Sequence, residues 1–167
     1  VRGDGMADTV LRHATALATQ HDAHIVVVHC RARTEDLMPY GIQLPSFARE
    51  TLAEQARELA DQQEQDVREQ LNRLAQSLGI EETNAPAPGK ASIEFVEEPG
   101  LMADVIKRTG RLADLVVVAK PDRDRNLGAN SLKSALFRTG RPVLMCPQGG
   151  DVPQSFGSNM TVAWNGS

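Results

Sequence analysis

The chain has 167 residues, a length that suits one domain and buries about 70% of its unfolded surface. Hydrophobic residues make up 41% of it and aromatics only 4%, so the core must be built from Leu, Val, Ile and Ala. A formal charge of -4, from 18 basic and 22 acidic residues, leaves no basic footprint for nucleic acid, and no apolar run approaches the ~18 residues of a membrane helix.

The two cysteines, Cys30 and Cys146, lie far apart and each ends an apolar stretch. Nothing reads as a disulfide framework, so a reduced, cytoplasmic protein is expected.

Val1 to Gly5 reads as a turn, with Asp4 or Asp8 placed to cap the helix after it. Val10, Leu11, Ala14, Leu17 and Ala18 repeat at helical spacing to about Gln20. His24 to Cys30 follows as a strand of the doubly buried type. His21, His24 and His29 lack the helical spacing or cysteine pair of a metal site, and no metal is expected. The loop Arg31 to Ser46 is rich in Leu, Met, Tyr and Ile, and is expected to cover the top edge of the sheet, the alternatives being that it lines a pocket or meets a partner.

Phe47 to Leu78 reads as one long helix, with Leu52, Ala56, Leu59, Gln63, Val67, Leu71, Leu74 and Leu78 on one face and Gly79 as its stop. Its polar middle, Asp61 to Asp66, either projects beyond the sheet or breaks the helix, and is expected to be a solvated face. Glu81 to Lys90 is a loop. Ala91 to Glu97 alternates in polarity as an edge strand does. A helix from Leu101 to Gly110 turns Leu101, Val105 and Ile106 inward and leaves Asp104 in solvent.

Ala113 to Ala119 carries five consecutive apolar residues and reads as a central parallel strand, covered on both faces. In open α/β sheets ligands bind beyond the carboxyl ends of the strands, so the turn Ala119 to Arg125 is where function should be legible. A helix from Leu127 to Thr139 is expected to bury Leu132, Ala135, Leu136 and Phe137. Pro142 to Cys146 is a short strand, Gln148 to Asn159 a linker, and Met160 to Trp164 a last strand. Strands alternating with helices demand right-handed crossovers and a parallel sheet.

In its order and spacing of elements the chain resembles the universal stress protein family, and more closely its tandem, two-domain members. The marks are Val1 to Gly5 leading into Ala14 to Ala18, the strands at 24–30 and 113–119, the run Phe137 to Pro147, and the ending Val162-Ala163-Trp164-Asn165-Gly166-Ser167. The resemblance implies an adenine-nucleotide alpha-hydrolase-like α/β fold. Its open five-stranded parallel sheet has the order 3-2-1-4-5, with helices on both faces. Residues 1–147 would form this domain with most of its first strand missing, 148–159 a linker, and 160–167 either the first strand of a second repeat or a strand completing the sheet. It further implies a homodimer or tandem pseudo-dimer along the fifth strand, through Pro142, Val143, Leu144 and Met145.

Nucleotide-binding members of the family hold ATP on a Gly-x2-Gly-x9-Gly-Ser/Thr loop after the fourth strand, and an Asp after the first strand helps bind the nucleoside. Here the two glycine positions fall on Ala119 and Asp122. The Gly-Ser/Thr pair falls near Ala129-Asn130 or on Leu132-Lys133, with Gly128 close by. The nucleoside-binding Asp falls on Arg2, or on Asn165 in the second copy. A phosphate cradle needs amides that approach closely, which glycine permits; Asp122 and Asp124 add negative charge and Pro121 removes a donor. The degenerate site therefore comprises Arg2, Ala119, Lys120, Asp122, Arg123, Gly128 and Asn130, and ATP is disfavoured as a cofactor. The expected function is a non-catalytic stress-response domain acting by dimerisation or partner binding. The alternative is an ATP-binding regulator in which Lys120 and Arg123 replace the glycine backbone. Asp122, His29, Cys30 and Cys146 lack partners for catalysis.

In the order 3-2-1-4-5 the first strand is central, and an empty centre leaves two edges unpaired. Either residues upstream supply it or another strand does. The linker Pro147 to Asn159 spans about 40 Å when extended. The return along one strand and across two neighbours needs roughly 17–20 Å plus ~10 Å. Met160 to Trp164 is thus long enough in reach to serve, in its own chain or a partner's. The same order sets Cys30 and Cys146 three strand spacings apart, too far for a disulfide.

Overall fold

A computed structural model describes residues 6–31, 46–164 and 166 of the chain. The opening turn with Arg2 and Asp4, the apolar loop 32–45, and Asn165 and Ser167 lie outside the described residues. Nine elements follow in order: α1 (Ala7–His21), β1 (His24–Arg31), α2 (Ser46–Ser77), β2 (Glu81–Glu82), β3 (Ser92–Pro99), α3 (Met102–Gly110), β4 (Val116–Ala119), α4 (Ala129–Arg138) and β5 (Val143–Cys146).

The architecture is mixed α/β with parallel strands, as expected, but the strands form two sheets and not one of five. The first has the order β1-β3-β2 and the second pairs β4 with β5. β1 and β3 run in register from His24 opposite Ser92 to Arg31 opposite Pro99. Val116 to Ala119 lie opposite Val143 to Cys146. Among the described residues nothing pairs the second edge of β1 or of β4. β3 is therefore an inner strand and not the edge expected, because Glu81 and Glu82, read as loop, pair with it in parallel.

The helices form two layers. α1 meets α2, and α3 meets α4. α1 also lies against β1, β4 and β5, so it bridges the two sheets. The main core sits under α1 and α2. Leu11, Val67, Leu71, Leu74, Ala75 and Ile80 close over Val27 and Ile93, with Ile25 and Phe95 alongside. Alternation along β1 explains this, since Ile25 and Val27 share one face.

The expectation of strands covered on both faces fails for a local reason. Val26, in the middle of β1, is 51% exposed, and every residue of β4 is only half-buried. Among the described residues the ladders join β1 to β3 and β4 to β5 only, and these short rows leave part of each apolar face uncovered by described neighbours. Two further corrections concern helices. Leu136 and Phe137 of α4 are exposed, Phe137 by 81%. The helix is sunk by Ala135, as expected, together with Ser134 beside it. In α3, Val105 is buried at 1% exposure while Leu101, at the N-cap, is exposed.

α2 does not break. Its 32 residues give a rod of about 48 Å, longer than the sheet beneath it. Val67, Leu71, Leu74 and Ala75 are buried, whereas Leu52 and Leu59 are exposed, so the N-terminal half projects past the sheet. The segment Met160 to Trp164 is a correction as well. It belongs to no strand and is exposed throughout.

Candidate functional site

The turn after β4 is closed by its own side chains. The backbone N–H of Lys120 donates to the carbonyl of Cys146 at 2.7 Å, extending the β4–β5 ladder by one residue. The chain then doubles back. Asp122 and Leu127 exchange backbone hydrogen bonds at 3.0 and 2.9 Å, as an isolated antiparallel bridge. Within that loop one Asp122 carboxylate oxygen accepts the N–H groups of both Asp124 and Arg125, each at 3.1 Å. A short acidic side chain bonding backbone two and three residues on is the usual way such a turn is fixed. Asn126, at φ 51°, takes the left-handed conformation that the reversal requires.

Gly128, at φ 81°, then starts α4. A side chain there would meet the Pro121 backbone at 3.4 Å, so loop and helix start are pressed together. The carbonyl of Gly128 accepts the first helical bond, from Leu132, and no side chain caps the helix.

Ala119, Lys120, Asp122, Arg123, Gly128 and Asn130 are thereby brought into one turn at the carboxyl end of β4. Arg2 lies outside the described residues. The Lys120, Arg123 and Asn130 side chains are exposed, and among the described residues neither cation forms an ion pair. Two hollows among the described residues are lined by other side chains. One is a void of about 10 Å³ beneath α2, bordered by Val27, Leu71 and Phe95. The other is an open surface depression between α1 and Gly149 to Val152.

Of the dimer candidates, Val143, Leu144 and Met145 lie on β5 and Pro142 just before it; among the described residues the outer edge of β5 is unpaired, and Met145 is exposed. Of the nucleophile candidates, Cys146 is fully buried and its thiol is pushed up to about 11 by burial. The Cys30 thiol donates to the Gly100 carbonyl at 2.9 Å. Both cysteines are free. His24 Nδ1 shares a 2.8 Å hydrogen bond with the buried Ser92 hydroxyl, and His29 stacks on Phe95. Among the described residues no three His, Cys, Asp or Glu stand together as a metal site.

A polar cluster at the carboxyl end of β1 escaped the sequence reading. Arg31 pairs with Asp61, with Glu64 at 3.2 Å and with Glu97 at 3.2 Å. The polar middle of α2 is therefore in part a docking face for Arg31. A hydrogen bond with Glu97, then burial, raises the Glu64 carboxyl above its ordinary range. The acidic run was the available signal, but only the fold shows which cation it meets.

No family model, curated protein or solved structure matches the chain.

Proposed function

We propose that the chain is a non-catalytic regulatory domain of the universal stress protein type, working through association and without holding ATP. The observation that carries this reading is the Asp122 carboxylate on the amides of Asp124 and Arg125. Those are amides a phosphate would need, and a fixed negative charge already holds them. A triphosphate would have to displace that carboxylate and then sit beside it, and like charges at such range repel strongly. The arrangement of strands supports the family reading. The pairs β1-β3 and β4-β5 are the two outer pairs of a 3-2-1-4-5 sheet, and one further parallel strand between β1 and β4 would complete it. The outer edge of β5, unpaired among the described residues and with Met145 exposed on it, supports association there.

The second reading, an ATP-binding regulator, is favoured by one feature. Lys120 and Arg123 are exposed cations beside an uncapped helix start at Gly128. Calorimetric titration of the chain with ATP and magnesium separates the two. No heat of binding up to millimolar ATP is expected. Micromolar affinity that is lost in a Lys120→Ala, Arg123→Ala double variant establishes the second reading and removes the first.

A further inference from the structure

We propose that the corner where α3 and α4 end is a docking face for an anionic phospholipid surface, with Leu112 and Phe137 entering the lipid interface and the lysines and arginines around them meeting its headgroups. This is a protein lying on a bilayer and not one crossing it, since no helix among the described residues is long and apolar enough to cross. The inference uses neither the turn after β4 nor the edge of β5, and so stands apart from the functional reading above.

The apolar part comes from two helix ends. Leu112, two residues past α3, is 87% exposed, and Phe137, one residue before the end of α4, is 81% exposed. Leu136 is exposed as well. Arg111 Nε donates to the Arg138 carbonyl at 3.2 Å, so the residues next to these in sequence, Leu112 and Phe137, flank one contact. α4 turns Lys133, Leu136 and Phe137 to one side, because positions three and four apart share a face, and it buries Ser134 and Ala135 on the other. A single exposed apolar residue is ordinary on a protein surface, whereas three at one corner mark an interaction site.

The charge is collected at the same place. Nine of the 18 basic residues but only five of the 22 acidic ones lie after Gly100. Six of those nine, Lys107, Arg108, Arg111, Lys133, Arg138 and Arg141, lie on α3 and α4 or within three residues of their ends. Arg108 pairs with Glu98 and Arg138 with Asp104. Among the described residues Lys107, Arg111, Lys133 and Arg141 have no carboxylate partner, and one further acid, Asp114, stands in these segments.

Helix capping explains part of this and not the rest. Arg141 Nε and Nη2 donate to the Arg111 carbonyl at 3.0 and 2.8 Å, and cations at helix C-termini complement the dipole. That accounts for Arg111 and Arg141. It gives no reason for Lys107 and Lys133, which stand a turn or more inside the helices, nor for leaving Leu112 and Phe137 in water.

The shape of the face favours lipid over a folded partner. Leu112 and Phe137 project, and neither the void beneath α2 nor the depression beside α1 borders them. A protein would have to bring pockets that match them, whereas a fluid interface closes around projecting side chains. Large apolar groups set among Lys and Arg are the composition that seats a protein on an anionic bilayer. Each cation near such a surface contributes about fivefold in affinity, so the four without carboxylate partners supply on the order of several hundredfold at low salt. The remainder of the chain fixes the orientation. Residues 1–100 hold 17 acidic against nine basic residues, so the field that draws in the α3–α4 corner turns the acidic part away.

The test uses the 167-residue chain with vesicles of phosphatidylcholine alone, or of phosphatidylcholine and phosphatidylserine in equal parts. Cosedimentation should show binding to the mixed vesicles that weakens as salt rises, and little binding to phosphatidylcholine alone. Lys107→Gln with Lys133→Gln should weaken binding by about 25-fold. Leu112→Ser with Phe137→Ser should weaken it by about tenfold or more. All four side chains are exposed, so both double variants should keep the parent circular dichroism spectrum. Insertion is read directly from Phe137→Trp in a Trp164→Phe background, whose emission should shift to the blue on mixed vesicles and be quenched by brominated lipid. Leu59→Ser, on α2, should bind as the parent does. The proposal is overturned if the chain stays off the mixed vesicles at low salt, if it binds both kinds equally, if the two serine substitutions leave binding unchanged, or if the Phe137→Trp emission does not respond. Self-association lost in Leu112→Ser with Phe137→Ser, without vesicle binding, assigns the face to a second copy and overturns it too. The ATP titration bears on none of these outcomes.

Discussion

Cys146 ends β5 with its side chain wholly enclosed, and enclosure without a cationic neighbour keeps the thiol protonated. Its pKa is raised from an ordinary value near 9 to about 11. The unfolded chain therefore ionises this thiol first, and the stability it contributes is intact below pH 9 and lost as pH rises towards 11. Thermal unfolding of a Cys146→Ala variant should lack that alkaline limb, and iodoacetamide at pH 8 should label Cys30 of the folded chain well before Cys146. Gly110 is the second informative residue. The sequence presents it as a helix stop, but it is the last residue of α3 at a point of close approach. A methyl group there would stand 2.8 Å from the Thr139 methyl and 3.3 Å from a Val116 methyl. Thr139 cannot easily turn aside, because its hydroxyl donates to the Ala135 carbonyl at 2.6 Å and accepts the Arg141 N–H at 3.2 Å. Ala gains about 1 kcal/mol of helix propensity over Gly, and overpacking of this kind costs about 1–3 kcal/mol. Gly110→Ala should lower the Tm by a few degrees, and adding Thr139→Ser, which removes the obstructing methyl, should restore it.

α2 shows how an element takes on a role its pattern does not announce. Its apolar positions continue along the whole helix, yet only the stretch from Val67 onward has a sheet to pack on. Before that point the helix is held by charge, through Asp61 and Glu64 on Arg31. Arg68 one turn later lies 4.3 Å over the Phe95 ring and joins the polar and apolar halves of the contact. Glu64 and Glu97 share Arg31, and the hydrogen bond between the two carboxyls, then burial, outweighs the pull of Arg31 and Arg68 and raises the Glu64 carboxyl, which makes its contribution largest below the ordinary carboxyl range and lost as pH rises through the raised value. Glu64→Gln keeps a hydrogen-bond acceptor for Arg31 and relieves the repulsion. Its Tm at pH 7 should exceed that of the parent by about 1–3 °C, and the difference should close as pH falls to 4.

For the molecule as a whole, the pattern along the chain was enough to place the helices and the four main strands, because burial periodicity and the Gly and Pro stops are local properties. It placed β1, β3, β4 and β5 within a few residues, and it marked Ala119 to Asn130 as the turn at the head of β4. It missed β2, since two glutamates become a strand only when β3 offers them an edge. It overstated the burial of Val26, Leu136 and Phe137, since an apolar residue is covered only if a neighbouring element reaches it. The wording of the turn, acidic where glycine was expected, was legible in the sequence. That Asp122 spends its carboxylate on the amides of Asp124 and Arg125 was not, because a hydrogen bond depends on a distance that residue order leaves open. The sequence by itself determined which segments could be strands and how they alternate with helices. Only the tertiary structure decided which edges are paired, because pairing is a contest among all the strands and linkers that can reach an edge, and among the described residues it joins β1 to β3 and β4 to β5 in separate sheets.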